Sequence, residues 1–136
     1  MKLYPIGHTL KLIVSRFEAE ANRALKPLGL TASQAQLLII LNNSTDTLLP
    51  QKKLEAAIGL SQATVAGIVS RLAAKNLITL SRDGEDRRIQ LVAITPAGIK
   101  CCSKAFDIMK AAEEKVITEL TFEDREIISE MFSFTD

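Results

Sequence analysis

The order of signals between Gln51 and Thr95 restricts the fold of this chain more than any other feature. Pro50 suits the start of a short helix over 51–58, and Gly59 stops it. Ser61 then offers a hydroxyl N-cap to a second helix running to about 75. Helices that cross steeply need a compact turn with glycine at its start, and apolar inner faces. Leu54 and Ile58 supply one face, Leu60 the turn, and Val65, Ile68, Val69 and Leu72 the other, spaced as one helical stripe. Asn76 suits a left-handed helix end. Two strand-like runs follow, 77–82 and 89–95. They are joined by Asp83-Gly84-Glu85-Asp86, with Arg87 and Arg88 side by side where the chain turns back.

Helical patterns flank this block. From Leu10 onward, apolar residues fall at 13, 14, 17, 21, 24, 25 and 28, and Pro27 and Gly29 end that stripe. Thr31 and Gln34 stand at capping-box spacing before a strongly apolar helix over 35–42. Residues 43–46 read as a polar turn and 47–49 as a very short strand. Thr95-Pro96 starts a long helix over 96–120, and Thr121 caps a last one whose first turn carries Glu123 and Asp124. The order predicts a mainly α (α+β) fold: a winged helix-turn-helix with extra N- and C-terminal helices. The 136 residues read as one domain, with a winged helix-turn-helix lobe over 30–98 and flanking helices over 1–28 and 99–136.

Composition narrows the function classes. Hydrophobic residues at 47% suffice for a core, and charged residues at 24% are ordinary for a globular chain. The longest apolar run, Leu37 to Leu41, is far too short to span a bilayer, and no signal segment precedes it, so the expected setting is the cytoplasm without a membrane partner. One histidine, no G-x-S-x-G and no glycine-rich phosphate loop argue against an enzyme, a metal site or a cofactor. Net charge is only +1, but residues 1–112 carry 15 Lys or Arg against 8 Asp or Glu, whereas 113–136 carry 2 against 8. An acidic end conceals a basic remainder.

The outer face of the second helix of the pair shows Gln62, Ala63, Thr64, Gly67, Ser70 and Arg71, and no acid occurs from Leu60 to Asn76. Small residues allow close approach to a major groove, while hydroxyls, amides and helix N–H groups bond bases and phosphates. The competing reading is an ordinary solvated face, but such faces carry mixed Glu and Lys. Arginine on a thin hairpin suits the negative potential of a minor groove. Asp86 stands two residues before Arg88, where it can hold the guanidinium. A plain surface ion pair closing the hairpin is the alternative, worth less than about 1 kcal/mol.

The stretch LEAAIGLSQATVAGIVSRLAAKNLITLSRDGEDRRIQLVAITPAG, residues 54–98, resembles the MarR-type transcriptional regulators. Asp86 and Arg88 followed by Leu91, Thr95 and Gly98 look like that family's D-x-R…L-x-x-x-T-x-x-G wing signature, and Leu28-Gly29-Leu30-Thr31 with Gln34 looks like the entry to its second helix. The resemblance implies a homodimer, usually a repressor, on a pseudo-palindromic double-stranded DNA operator. By position, Ser61 would cap the recognition helix and touch a phosphate, Gln62, Ala63, Thr64 and Gly67 would face bases, and Ser70 and Arg71 would meet the backbone. Arg88 would enter the minor groove with Asp86 as its holder. Arg87 falls at a variable position, and Lys52 and Lys53 would add phosphate contacts. One departure stands out: the position after Leu54 is usually small, and Glu55 here predicts a first helix rotated or set further out.

The same resemblance implies a dimer interface built from the terminal helices, including Tyr4, Ile6, Leu10, Ile13, Val116, Ile117, Leu120, Ile127, Ile128, Met131, Phe132 and Phe134. The apolar runs near both ends independently predict that those segments are covered. It also implies a small-molecule effector cleft, although no residue pattern names the ligand. Cys101 and Cys102 lie about 100° apart on one helix, so at least one faces inward as a small apolar residue. Redox sensing by these two is the alternative to ligand control. A winged helix used only for protein contact is the alternative to DNA binding.

Overall fold

The computed structural model describes residues 5–133, with side chains through Met131. α1 (Ile6–Leu25) runs into a single 3-10 turn at Lys26–Leu28, and Gly29 closes it in the left-handed region at φ 68°. Pro27 is tolerated because it sits in that turn rather than in the helix body. The capping box forms as its spacing predicts. The Thr31 hydroxyl accepts the Gln34 N–H at 3.2 Å, and the Gln34 side chain accepts the Thr31 N–H at 3.3 Å. α2 (Ala32–Asn43) therefore starts directly behind the cap, earlier than its apolar run suggests. Its Ala35, Leu37, Leu38 and Leu41 are buried on nearly all sides, making it the central helix of the core.

β1 (Leu49–Pro50) is shorter and later than the expected 47–49 strand. Its position is set by pairing, since Leu49 lies opposite Val92 and Pro50 opposite Leu91. Proline has no N–H to extend a ladder, so the edge strand ends there and the chain turns directly into α3 (Gln51–Ile58). Gly59 at φ 74° stops α3, and the chain turns through 111° into α4 (Gln62–Ala74). β2 (Ile78–Arg82) and β3 (Gln90–Ile94) complete an antiparallel sheet in the order β1-β3-β2. α5 (Pro96–Glu119) packs along α1 and α2, and α6 (Phe122–Ser133) follows at its end.

One continuous core joins these elements. Leu25, Leu37, Leu38, Leu54, Val65, Val69, Leu72 and Val92 are its largest fully buried side chains, so both helices of the pair and the wing strand rest on α2. Gln34 is the buried polar member, and its amide oxygen also receives the Lys75 ammonium at 3.3 Å. Lys75 reaches the Gly29 carbonyl as well, so the end of α4 is tied to the α1–α2 junction.

The wing is fixed to α5 by a tight junction. The Thr95 hydroxyl donates to the Asn76 carbonyl at 2.9 Å and accepts the Gly98 N–H at 2.9 Å. Thr95 N–H bonds the Leu77 carbonyl at 3.1 Å. Gly98 packs so closely that a Cβ there would lie 2.1 Å from the Leu77 carbonyl oxygen. At the other end, Glu20 on α1 accepts from Arg23 and from Lys115 on α5, the latter at 3.3 Å. Arg23 chiefly, and Lys115 after it, hold the Glu20 carboxyl down from 4.5 to about 2.

Two outcomes follow from this packing. Gly98→Ala should lower the urea midpoint with an unchanged m-value, a loss of about 3 kcal/mol, because the obstructing atom is backbone. Glu20 is lowered in the folded state, so its contribution is full above pH 4.5 and lost as pH falls toward 2. Glu20→Gln should therefore depress the melting temperature at pH 7 and leave it nearly unchanged near pH 2, measured by circular dichroism.

Candidate nucleic-acid interface

The N-terminus of α4 is built by Ser61. Its hydroxyl oxygen accepts the Thr64 N–H at 3.3 Å and its O–H donates to the Thr64 hydroxyl at 2.9 Å. Thr64 keeps its own O–H to donate outward. Ser61, Gln62, Ala63, Thr64, Ser70 and Arg71 are all exposed, and Gly67 is half-buried. A Cβ at 67 would lie 3.2 Å from the Arg71 guanidinium, which folds back along the helix and would have to shift slightly to admit it. Val65, Ile68, Val69 and Leu72 are buried on the opposite side, so the helix presents one polar, acid-free face.

The wing tip is a hydrogen-bonded loop. Asp83 N–H bonds the Ile89 carbonyl at 3.1 Å, and Ile89 N–H bonds the Asp86 carbonyl at 3.1 Å. The Asp86 carboxylate then takes three bonds from Arg88: the backbone N–H at 3.1 Å, Nε at 3.0 Å and Nη2 at 3.0 Å. This is a bidentate fork geometry. The Arg88 hydrogen bonds pull the Asp86 carboxyl below its usual range, and Asp86 raises the guanidinium in turn. The Arg88 side chain nevertheless remains 91% exposed. It is oriented without being covered, and its Nη1 makes no bond among the described residues. Arg87 is exposed and makes no bond or ion pair among the described residues.

Between the wing and the helix pair lies a groove of about 670 Å³. Lys52, Arg82 and Arg88 line it together with Gln62 from α4. Lys53 is exposed beside Lys52 on the first turn of α3. Arg82 is the addition that the sequence did not single out. It ends β2 and donates weakly to the Arg88 carbonyl at 3.5 Å, which brings a third cation to the tip. Glu55 lies on this groove side rather than wedged between the helices, where Leu54 is fully buried. It accepts from the Gln51 amide at 3.3 Å, and Gln51 accepts from Gln90 on β3 at 2.8 Å. These two bonds tie α3 to the wing.

The residues named for a dimer interface separate into groups. Ile6, Ile117 and Met131 are exposed, and Leu10, Leu120, Ile127 and Ile128 are half-buried. Ile13 and Val116 are already buried within the chain. Tyr4, Phe134 and the side chain of Phe132 lie outside the described residues. Phe122, at 75% exposure, and Leu12, at 53%, extend the uncovered apolar surface beyond those named. Cys102 is buried in the core and Cys101 packs against it, with no disulfide between them. Burial chiefly, with Cys101 adding to it, raises the Cys102 thiol and opposes the thiolate needed for reaction. Among the described residues no three His, Cys, Asp or Glu side chains converge as metal ligands, and no single helix is long and apolar enough to cross a membrane.

A separate cleft of about 380 Å³ opens where α1, α2, the α3–α4 turn and α5 meet. Val14, Phe17, Leu60 and Met109 form its apolar walls, and Glu18 and Glu113 are its charged members. No motif marked it, because its residues come from four separate segments.

A helix-turn-helix with an arginine-tipped wing, framed by long terminal helices, defines a winged helix-turn-helix regulator. The comparisons agree. Residues 28–89 match the profile of the MarR family. The chain is 28% identical over 130 residues to the HTH-type transcriptional regulator YwoH of Bacillus subtilis (strain 168), covering 96% of this chain and 90% of that one. It is 34% identical over 93 residues to the HTH-type transcriptional repressor NicR of Pseudomonas putida, covering 68% of this chain and 58% of that one. The solved structure of Bordetella bronchiseptica BpsR, described in terms of regulation of its DNA binding by 6-hydroxynicotinic acid, superposes with a TM-score of 0.78 at 26% identity, covering 96% of this chain and 98% of that one. The chain belongs to the MarR family.

The Ser61 cap carries its own test of stability. Ser61→Ala should lose about 1 kcal/mol on urea unfolding, whereas Ser61→Asp, an equally good cap facing the helix dipole, should retain wild-type stability.

Proposed function

We propose that this chain is a homodimeric, sequence-specific double-stranded DNA-binding regulator, a repressor on a pseudo-palindromic operator, released by a small ligand. It works in the cytoplasm and catalyses no reaction. The observation that supports this best is Arg88: a fully forked carboxylate holds its Nε side while the rest of the guanidinium projects into solvent. A surface ion pair of that kind adds little stability. Preorganising a cation for a minor groove is a use that fits its geometry. Asp86 is the positioning residue. Arg82 and Arg87 flank it as phosphate contacts, and Lys52 and Lys53 extend the cationic surface to the first turn of α3.

On α4, Gln62, Ala63 and Thr64 face bases. Ser61, Ser70 and Arg71 meet phosphates. The face is short of long side chains, so shape readout contributes much of the specificity. In the paired chain, Ile6, Ile117, Met131 and the half-buried Leu10, Leu120, Ile127 and Ile128 meet their partner copies. The terminal helices 1–28 and 99–136 thus form the dimerising unit around a 30–98 DNA-binding lobe.

Titration of operator DNA from the chain's own upstream region tests the assignment. Arg88→Ala should weaken binding by about 1–3 kcal/mol and reduce the salt slope by about one, with the melting temperature unchanged. Ser61→Asp should weaken binding likewise through charge repulsion with a phosphate. Unaltered affinity in Arg88→Ala, or a melting temperature several degrees lower, would make the wing arginine a structural element only.

A further inference from the structure

We propose that the cleft between α1, α2, the α3–α4 turn and α5 takes a lipophilic cation, an apolar or aromatic body carrying one protonated amine. This deepens the ligand-release reading above and rests on it.

The cleft is apolar where it matters for affinity. Val14 and Leu60 keep 51% and 37% exposure on its walls, beside Phe17 and Met109, so the chain's own packing leaves this surface uncovered. Its volume of about 380 Å³ suits a small organic molecule. Two charged groups line it, Glu18 and Glu113, and no Lys, Arg or His does so among the described residues. Neither carboxylate has a hydrogen-bond or ion-pair partner among those residues. That sets them apart from Glu20 and Glu119 on the same two helices, which are matched to Arg23 with Lys115 and to Arg16.

An aromatic carboxylate entering this cleft would meet two exposed negative charges, with no cation among the described lining residues to offset the repulsion. An ammonium meets the opposite field. Its apolar body covers Val14, Leu60 and Met109, and its charge can also lie against the Phe17 ring. The cleft of this chain thus favours a charge type opposite to that of 6-hydroxynicotinic acid, the compound that regulates DNA binding by BpsR. Leu60 immediately precedes the Ser61 cap, and Ile58, also on the cleft, ends α3. A ligand seated against these residues bears directly on the turn that aims α4.

The test uses two probes of matched shape and opposite charge, 1-naphthylmethylammonium and 1-naphthoate. Calorimetric titration of the full chain with each probe measures binding, and fluorescence anisotropy of labelled operator measures release. The ammonium should bind at least about tenfold more tightly than the naphthoate and release the operator. The double variant Glu18→Gln/Glu113→Gln should erase that preference, with Glu18→Gln and Glu113→Gln alone each removing part of it. Equal or tighter naphthoate binding, no binding of either probe, or a preference that survives the double substitution overturns the proposal. Operator release by naphthoate alone sinks the charge assignment and leaves ligand release standing. Absence of any operator binding before probe is added sinks the regulator reading instead, while the calorimetric preference still decides the ligand class.

Discussion

The junction at Thr95 and Gly98 is the constraint on which the remaining geometry depends. Two backbone segments meet there at a distance that admits no Cβ, since the Leu77 carbonyl occupies the space a side chain at 98 would need. The Thr95 hydroxyl serves both sides at once, capping α5 and bonding the Asn76 carbonyl at the start of the wing. The wing therefore cannot be reoriented independently of α5. Because α5 packs along α1, the arginine tip is covalently and sterically tied to the helices assigned to dimerisation. Any rearrangement between two copies reaches the wing through one rigid helix start.

A second set of ties surrounds the helix pair. Lys75 joins the end of α4 to Gly29 and Gln34, and the Gln90–Gln51–Glu55 chain joins the wing to α3. With both helices resting on α2, the interface behaves as one body whose orientation is set from its edges. The Arg88 guanidinium, Arg82, Arg87, Lys52, Lys53 and the polar side chains of α4 project from that body. Electrostatics are less evenly divided. The acids of α5 and α6 lie away from the wing groove; at the tip Asp86 is paired with Arg88, while Glu85 stays exposed.

Much of this was legible in the sequence because it is local. Capping residues, the Gly59 stop, the stripe from Val65 to Leu72 and Thr95-Pro96 each act within a few neighbouring positions, so element order follows from chain order. The Asp86–Arg88 pairing is legible for the same reason. What was missed is non-local. β1 shifted because pairing with Val92 and Leu91, not propensity, sets its register. Arg82 looks like an ordinary strand-end charge until the hairpin folds it beside Arg88. Helical periodicity does not say that Glu55 will accept from Gln51, or that Gln51 will in turn accept from Gln90 on the wing. Periodicity also gives Ile13 and Val116 an apolar face without saying whether α1 and α5 cover each other or await a partner. The cleft gathers single residues from four segments, so no window along the chain contains it.

The central claim is that these surfaces read a particular DNA site. Fluorescence anisotropy of the wild-type chain on its upstream DNA and on a scrambled duplex, at several salt concentrations, tests it most directly. The account predicts a preference of about a thousandfold or more for the upstream site, and affinity that falls linearly in log–log with salt as several phosphate contacts are lost. Equal affinity for both duplexes, or affinity indifferent to salt, would contradict it.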